Sequence, residues 1–534
     1  GSPEVRARAR DQLEELRGRY REAEEPDRSP PPLTITDVAI EDIFPSLFTS
    51  YQQEPAGEVI VTNEGDQTVR NVSLTARMRF LEFPTPGGTV STLAPGETAG
   101  LAVSLPVSSQ TLRLQESTPT PVSLTLRYED GGQEHELSRV ELITVHRATA
   151  LTWDDSAKLA AYVTPRDSIV EGFAAPFVGV GQAEALSVSE KLFRAARIAD
   201  ALAVGGIEYI EDPRSGITEV LGNPSVIDTV RFPRTTIRVG YGDCDDTTAL
   251  LASLYESVGI ATAIMTSPGH VFLAFDTGEP EQNRWLFESE RTAALVYKGT
   301  VWLPFETTIL HEGFLASWEE GSRLYRSHAD DGTVEFIPLE TVRSRFPPLP
   351  LEPASFRITP PPEELVGPAY TRSREAIRET LYLANVASIE RELAASSGRR
   401  RVRSLNQLGI LHGRFAQVGR AREAFLRAVE DDASYAASYI NLANLELLRE
   451  APGAALEWLD LAEEQRSGSV LVTLLRAQAE YLAGDRAAAA ERMATVRERA
   501  PELAAQYPHL AGGETGTARA SEAAAGAVLP WAVY

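Results

Sequence analysis

The chain has 534 residues, of which 43% are hydrophobic and 24% are charged, a composition typical of soluble globular proteins. Such a length exceeds what one compact core can hold, so it predicts roughly three or four domains. The formal net charge is −25, and because an acidic surface repels phosphate backbones, nucleic acid is not an expected partner. No apolar run reaches the ~18 residues that would indicate a membrane span.

The first segment, residues 1–32, is rich in Arg and Glu and ends in the proline run Pro30 to Pro32. This pattern predicts a charged helix followed by a stiff linker. Gly1 and Ser2 resemble the remnant of a protease-cleavage site. Membrane anchoring by segments outside this sequence is therefore kept as an alternative.

Residues 33–150 alternate apolar and polar side chains in short runs, such as residues 58–63 and 122–126. Turn-forming segments, for example residues 63–66 and 86–88, separate these runs at even spacing. The pattern predicts an antiparallel β-sandwich, and it resembles the immunoglobulin-like modules found beside bacterial surface enzymes. We find no cluster in it that would carry chemistry.

Beyond residue 345 the sequence predicts helices. Residues 346–401 read as a proline-rich linker followed by a helix, and residues 402–503 carry a period of 34. Small and apolar residues recur at fixed positions, which are Gly409, Ala421, Phe425, Ala428; Ala443, Ala455, Leu459, Ala462; and Ala477, Ala489, Met493, Val496. This pattern resembles three tetratricopeptide repeats, which normally offer a concave surface to a protein segment. A helical bundle without repeats is the alternative.

The C-terminal segment, residues 504–534, predicts a low-complexity tail. Its last residues, 528–534, are apolar after an Ala- and Gly-rich spacer. They fit either a frayed end or the first residues of a membrane segment.

The single cysteine, Cys244, excludes a disulfide within the chain. A lone thiol is by default a small buried hydrophobe. Here, however, Cys244 follows Gly240 to Asp243 and precedes leucines at helical spacing that end at Gly259. The cysteine is therefore predicted to open a helix, where free amides and the positive end of the helix dipole would lower the thiol pKa.

Two further side chains are predicted to approach that helix start. His270 begins a predicted strand directly after a helix–strand unit, so it can act as a base for the thiol. Glu306 ends another predicted strand, residues 301–306, and its carboxylate can fix the imidazole tautomer. Together, Cys244, His270 and Glu306 form a candidate nucleophile, base and acid.

The central region, residues 151–345, resembles the bacterial transglutaminase-like superfamily. The resemblance rests on Gly-Asp-Cys-Asp-Asp at residues 242–246, Pro-Gly-His-Val-Phe at 268–272 and Trp-Leu-Pro-Phe-Glu-Thr-Thr at 302–308. It implies a papain-like α+β domain and a Cys-His-Asp triad. By this resemblance Cys244 is the nucleophile and His270 the base, and Glu306 stands where the family usually has Asp. Asp276, six residues after His270, is the fallback third member.

Metal binding is the competing interpretation of Asp243, Asp245 and Asp246. Three carboxylates at a helix start are more simply explained by capping and compensation of the helix dipole. The histidines other than His270 form no metal-spaced pair, and the sequence has no calcium-loop pattern. We therefore expect no metal ion and no other cofactor.

These observations predict a multidomain α+β protein that performs acyl transfer, or peptide or amide hydrolysis, through a thioester. The expected partners are a protein or peptide substrate and a protein bound at the repeats. The alternative function is a catalytically inactive scaffold that binds partner proteins through the repeats and the sandwich. The single cysteine, the predicted sandwich, the proline-rich linkers and the cut ends favour the periplasm or the surface of a bacterium, with the cytoplasm left open.

Overall fold

A computed structural model of the chain describes residues 31–179, 188–211, 226–511 and 531–533. The expected charged helix in residues 1–30 lies outside the described residues. The chain is a mixed α/β protein with several β-sheets and a helical C-terminal region, which confirms the fold class at that level. None of the helices in the described ranges is long and apolar enough to cross a membrane.

The N-terminal strands form two antiparallel sheets, ordered β1-β2-β5 and β4-β3-β6-β7. These strands are β1 Leu33–Ile40, β2 Gly57–Asn63, β3 Val69–Arg77, β4 Thr85–Leu93, β5 Thr98–Val103, β6 Thr118–Asp130 and β7 Gln133–Val145. Burial alternates along β6, as expected for strands with one face toward a core. Side chains from both sheets, including Val61 and Leu124, share that core.

The expected turn at residues 86–88 is wrong, because these residues lie inside β4. A Cβ atom at Gly87 would lie 2.5 Å from the Ala102 carbonyl oxygen, and one at Gly88 would lie 2.6 Å from the Ala102 nitrogen. Both glycines therefore allow β4 to run close to β5 of the other sheet. Glycine here marks a close backbone approach, which local sequence cannot distinguish from a turn.

The central region contains a five-stranded antiparallel sheet ordered β14-β15-β13-β12-β16. The strands of this region are β8 Ala150–Leu151, β9 Glu208–Tyr209, β10 Asp228–Thr229, β11 Tyr241–Gly242, β12 Thr262–Ser267, β13 His270–Pro280, β14 Leu295–Tyr297, β15 Thr300–Phe305 and β16 Glu335–Pro338. Its helices are α1 Ser168–Ala174, α2 Glu190–Val204, α3 Pro233–Val239, α4 Cys244–Ser257, α5 Phe314–Ala329 and α6 Leu339–Val342.

Helix α4 packs on one face of this sheet because its apolar residues recur at helical spacing. Leu250, Leu251 and Leu254 are buried in the same cluster as Leu273 and Phe275 of β13. The packing holds the first residue of α4 near the start of β13. The sheet thus positions the candidate site.

Residues 363–511 are helical. The helices are α7 Glu363–Arg378, α8 Asn385–Ala395, α9 Gly398–Arg414, α10 Val418–Asp431, α11 Ala436–Leu448, α12 Pro452–Gln465, α13 Val470–Leu482, α14 Arg486–Arg499 and α15 Pro501–Ala505. Helices α9 and α10, α11 and α12, and α13 and α14 pack as successive pairs. The small and apolar residues that recur with the period of 34, from Gly409 to Val496, are all buried. A Cβ atom at Gly409 would lie 2.4 Å from the Phe425 ring, so the small residue is needed for close pairing.

The expected linker between these regions, residues 346–362, has no helix or strand but is packed. Phe346 and Leu349 are buried, and the Leu349 amide donates to the Ala161 carbonyl at 3.0 Å. The central hydrophobic cluster continues through Ile377 and Leu408 of the helical region. The two regions therefore share one core across the prolines.

The tail is also more ordered than its composition predicts. Tyr507 and Leu510 pack against α13 and α14, and residues 531–533 are buried among helices α9 to α13. A frayed end is therefore wrong for residues 531–533. Their contacts are described below.

A buried carboxyl group at the contact of α2 with α7 gives a test of this packing. Asp200 is 3% exposed, and its Oδ1 accepts from the Ser373 hydroxyl at 2.8 Å. Burial raises the pKa of Asp200 to about 7, well above its ordinary value of about 3.9. Between these values the folded chain holds more protons than the unfolded chain, so stability falls as the pH rises from about 4 to about 7.

We expect Asp200→Asn to exceed the wild type in free energy of unfolding by about 2–4 kcal/mol at pH 8. The gain should shrink as the pH falls to 5, because the wild-type carboxyl group then becomes neutral too. Urea unfolding of the two chains at several pH values measures the difference in free energy of unfolding and its dependence on pH. A difference in free energy of unfolding that does not change with pH would contradict the raised pKa of Asp200.

Candidate active site

Cys244 is the first residue of α4, as the sequence predicts. Asp243 caps the helix by accepting from the Asp246 amide at 3.4 Å. Gly240, with φ of 80°, ends α3, and a Cβ atom at Gly242 would lie 2.6 Å from the Asp246 Cβ. Both glycines of the entry are therefore required, the first by a left-handed backbone and the second by space.

The helix also ends where the sequence indicates. Its last helical residue is Ser257, and Gly259 has φ of 81°. This left-handed conformation at the helix end favours glycine.

His270 and Glu306 are in direct contact. His270 is the first residue of β13, and Glu306 follows the last residue of β15, the neighbouring strand. The His270 Nε2 lies 2.6 Å from the Glu306 Oε2, and the Glu306 side chain is 2% exposed. A buried carboxylate accepting from Nε2–H leaves Nδ1 as the nitrogen that can take a proton.

Thr308 fixes the orientation of the carboxylate. Glu306 Oε1 accepts from the Thr308 amide at 2.8 Å and from its hydroxyl at 2.7 Å. The two carboxylate oxygens thus have different partners, one toward threonine and one toward histidine. Sequence reasoning gave Thr308 no role, although it stands in the quoted Glu-Thr-Thr motif.

The thiol of Cys244 lies beside the residue that follows the histidine. The Val271 backbone N–H donates to the Cys244 sulfur, and Cys244 is 1% exposed. The structure therefore brings the start of α4 against the start of β13. Cys244 therefore lies at the same end of the sheet as the bonded pair His270 and Glu306.

The thiol pKa departs from the sequence-based prediction. Burial raises the pKa of Cys244, and the nearby Asp243 and Glu306 carboxylates raise it further, against the hydrogen bond from Val271. A lowered pKa was expected from the helix start, and that expectation is wrong for the resting site. The loss of hydration and the two negative charges outweigh the helix amides.

Tyr209 is a neighbour of the site that the sequence did not single out for a role. It lies on β9, which pairs in parallel with β11 directly before Cys244. Burial raises the pKa of Tyr209 to about 12, and the charges of Cys244 and Glu306 contribute. The phenol therefore stays protonated at neutral pH and is 40% exposed. No sequence motif marks it, since only the pairing of β9 with β11 brings it there.

The carboxyl groups of the acidic cluster at the helix start are bonded mainly to one another and to Arg231, although no hydrogen-bond donor among the described residues faces the buried Asp245 Oδ2. Asp246 pairs with Arg231, whose amide also donates to it at 2.6 Å. The Asp243 and Asp245 carboxyl groups hydrogen-bond each other, and burial raises the pKa of Asp245. These oxygens lie within 4.8 Å of one another. Capping, an ion pair and a shared proton account for most contacts of these carboxyl groups.

The fallback residue Asp276 lies away from the site. Its carboxylate accepts from Lys191 Nζ at 2.5 Å and from the Gly278 amide at 2.9 Å. The structure therefore brings Glu306, and not Asp276, to the imidazole.

A polar cleft of about 710 Å³ is lined in part by Glu320, whose carboxylate is within electrostatic reach of His270. Its lining includes Glu290, Glu312, Glu319, Glu320, Arg323 and Arg326. The pKa of Glu320 is lowered by its hydrogen bond to Arg323 and, to a smaller extent, by the charge of His270. The cleft thus combines both signs of charge within electrostatic reach of the imidazole.

Comparison with known proteins assigns no family. No family model and no curated protein matches the chain. Solved structures of bacterial alpha-2-macroglobulins match over 93% of this chain with a TM-score of 0.21: the native Escherichia coli protein at 12% identity, a Salmonella mutant at 11%, and an E. coli fragment from domain MG7 to the C-terminus at 11%. The chain spans 26%, 27% and 65% of those chains, respectively. Likeness at this level carries no argument about fold or function.

Proposed function

We propose that the chain is a transglutaminase-like cysteine enzyme acting on a protein or peptide substrate. In this proposal residues 151–345 form a papain-like catalytic domain, residues 33–150 an immunoglobulin-like sandwich, and residues 402–503 three tetratricopeptide-like repeats. The observation that carries the proposal is the 2.6 Å bond between His270 Nε2 and the buried Glu306, placed beside the only thiol. This arrangement is the nucleophile–base–acid geometry of thiol acyl transfer.

The first half of the reaction forms a thioester. The Cys244 thiol passes its proton to His270 Nδ1, and the sulfur attacks the carbonyl carbon of an amide. The amide of Cys244, at the first position of α4, has no acceptor within the helix and can stabilise the oxyanion. The imidazolium then protonates the leaving amine as the C–N bond breaks.

The second half releases the acyl group. Water or a primary amine gives its proton to His270 Nδ1 and attacks the thioester carbon. The C–S bond breaks, and the sulfur takes the proton back. With water the reaction is peptide or amide hydrolysis, and with a lysine amine it is crosslinking.

The raised thiol pKa assigns a specific task to His270. Because Cys244 rests as a buried neutral thiol, the nucleophile forms only when the imidazole accepts the proton. Glu306 stabilises the resulting imidazolium from the opposite nitrogen. His270 therefore acts as a general base, a role that contributes roughly 10²- to 10⁴-fold.

Alkylation by iodoacetamide tests this proposal, because Cys244 is the only cysteine and the only thiol that can react. At pH 7 we expect His270→Ala to react at least about tenfold more slowly than the wild type. The truncation opens space beside the sulfur, so a slower reaction cannot come from reduced access. Mass spectrometry measures the rate.

His135→Ala, on β7 of the N-terminal sheets, serves as the matched control and should react like the wild type. In urea all three chains should react at one rate. Equal rates for the folded wild type and His270→Ala would overturn the proposed base.

The second candidate is a scaffold whose central domain has lost activity. The 1% exposure of Cys244 and its raised pKa favour this alternative. A histidine-independent thiol in the alkylation experiment is the outcome that would support it. The protein-binding roles of the sandwich and the repeats would then be the function.

A further inference from the structure

Residues 531–533 occupy a groove between the repeat helices. Trp531, Ala532 and Val533 are 8%, 5% and 6% exposed, respectively. They pack into two clusters formed by α9, α10, α11, α12 and α13. Three consecutive residues are thus buried by helices that precede them by many residues in the sequence.

Two buried asparagines hold the main chain of this segment. Asn441 binds Ala532 through both ends of its side-chain amide: Nδ2 donates to the carbonyl at 2.8 Å, and Oδ1 accepts from the backbone N–H at 2.8 Å. Asn406 Nδ2 donates to the same carbonyl at 2.8 Å. Asn406 and Asn441 are 0% exposed and are bonded to each other at 2.9 Å. This asparagine pair binds main-chain groups, so its hydrogen bonds do not depend on which side chain the bound residue carries.

A side-chain pocket adds selectivity for an aromatic residue. The Trp531 ring stacks on Phe425 with centroids 6.2 Å apart. A Cβ atom at Gly413 would lie 2.6 Å from the Trp531 ring, so the glycine makes the room that the indole fills. Val533 lies in the same apolar cluster, and its carbonyl accepts from the Tyr435 hydroxyl at 3.0 Å.

We propose that this groove is a peptide-binding site for an extended segment of the type aromatic–small–β-branched, and that residues 531–533 are its intramolecular occupant. The main-chain contacts to Ala532 provide affinity, and the indole pocket sets the register. The chain's own segment therefore blocks the groove until it is displaced. This site is independent of the proposed thiol chemistry.

The test uses a fluorescently labelled peptide, Ala-Val-Leu-Pro-Trp-Ala-Val-Tyr, which copies residues 527–534. In the full chain, Trp531→Ala weakens the internal occupant. We expect this variant to bind the peptide at least about tenfold more tightly than the wild type by fluorescence anisotropy. Adding Asn441→Ala removes two hydrogen bonds and should weaken binding about tenfold or more.

Gly413→Ala supplies the matched change on the groove side. In the Trp531→Ala background it should abolish peptide binding, since the new Cβ atom occupies the indole pocket. A labelled peptide with alanine in place of tryptophan should not bind to any of these chains. Failure of the Trp531→Ala chain to bind the peptide, or equal binding by the wild type, would overturn the proposal.

Limited proteolysis of the full chain provides a second measurement that needs no added peptide. Cleavage within residues 531–533 should be at least about tenfold faster in Asn441→Ala than in the wild type. Equal cleavage rates would contradict the bound state of the segment. Light scattering should show a monomer; a dimer that Trp531→Ala dissociates would overturn the intramolecular assignment, because the segment would then be exchanged between copies.

Discussion

Glu306→Gln is expected to lower the acyl-transfer rate by about 10³-fold or more while the fold stays intact. The reason is the fixed orientation of the side chain. Thr308 donates two hydrogen bonds to Oε1, so the amide oxygen of glutamine will occupy that position. Its NH₂ group then faces His270 Nε2 and donates to it. The imidazole proton is forced onto Nδ1, the nitrogen that must accept the thiol proton.

Two assays on the same protein preparation measure this effect. One follows cleavage of denatured casein, and the other follows incorporation of a fluorescent primary amine into casein. Glu306→Asp is the matched control, because it keeps the charge, and it should retain more activity than Glu306→Gln. Thermal unfolding should differ little among the three chains. Full activity of Glu306→Gln would contradict the role given to the carboxylate.

Arg414→Met is expected to lower the free energy of unfolding by about 3–5 kcal/mol, the largest stability change predicted for this chain. Arg414, at the end of α9, pairs with Glu279 of β13 at 2.6 Å, and their side chains are only 1% and 2% exposed. Removing the arginine leaves a buried carboxylate that, among the described residues, keeps its hydrogen bonds to the Ser189 amide and the Asn283 side chain. A buried charge without its ion-pair partner is costly because the remaining hydrogen bonds replace its hydration only in part.

Urea unfolding with a matched exposed pair measures this cost. Arg401, on the same helix, pairs with Asp431 at 2.8 Å with about a third of each side chain exposed. Arg401→Met should therefore cost less than about 1 kcal/mol. Adding Glu279→Gln to Arg414→Met should recover part of the loss, since the buried charge is then gone. Equal effects of the two arginine substitutions would contradict the argument.

Much of the candidate site follows from local sequence. The helix starting at Cys244 and the left-handed Gly259 both obey helix-end chemistry that nearby residues specify. His270 opens a strand because an apolar run follows it directly. Glu306 directly follows the neighbouring strand, and only sheet pairing brings it to the imidazole.

Other features depend on contacts between distant residues and could not be predicted. The raised pKa of Cys244 reflects burial that only the folded chain creates. The glycines of β4 look like a turn until the second sheet is placed against them. The segment that contains Trp531 contacts residues far away in the sequence, as the hydrogen bond from Asn406 to Ala532, 126 positions apart, shows. No local pattern encodes any of these contacts.

The core that runs beneath the proline-rich segment limits how this protein can be divided. Apolar residues on both sides of residues 346–362 belong to one hydrophobic cluster. If the chain were cut at this segment, each part would expose apolar side chains that are now buried against the other part. The prolines therefore do not mark a boundary between separable modules. Fusion or excision at that segment would expose apolar surface and favour aggregation, whereas the N-terminal sheets have a core of their own. Recombination, natural or engineered, is therefore expected to move the central domain and its neighbouring helices together.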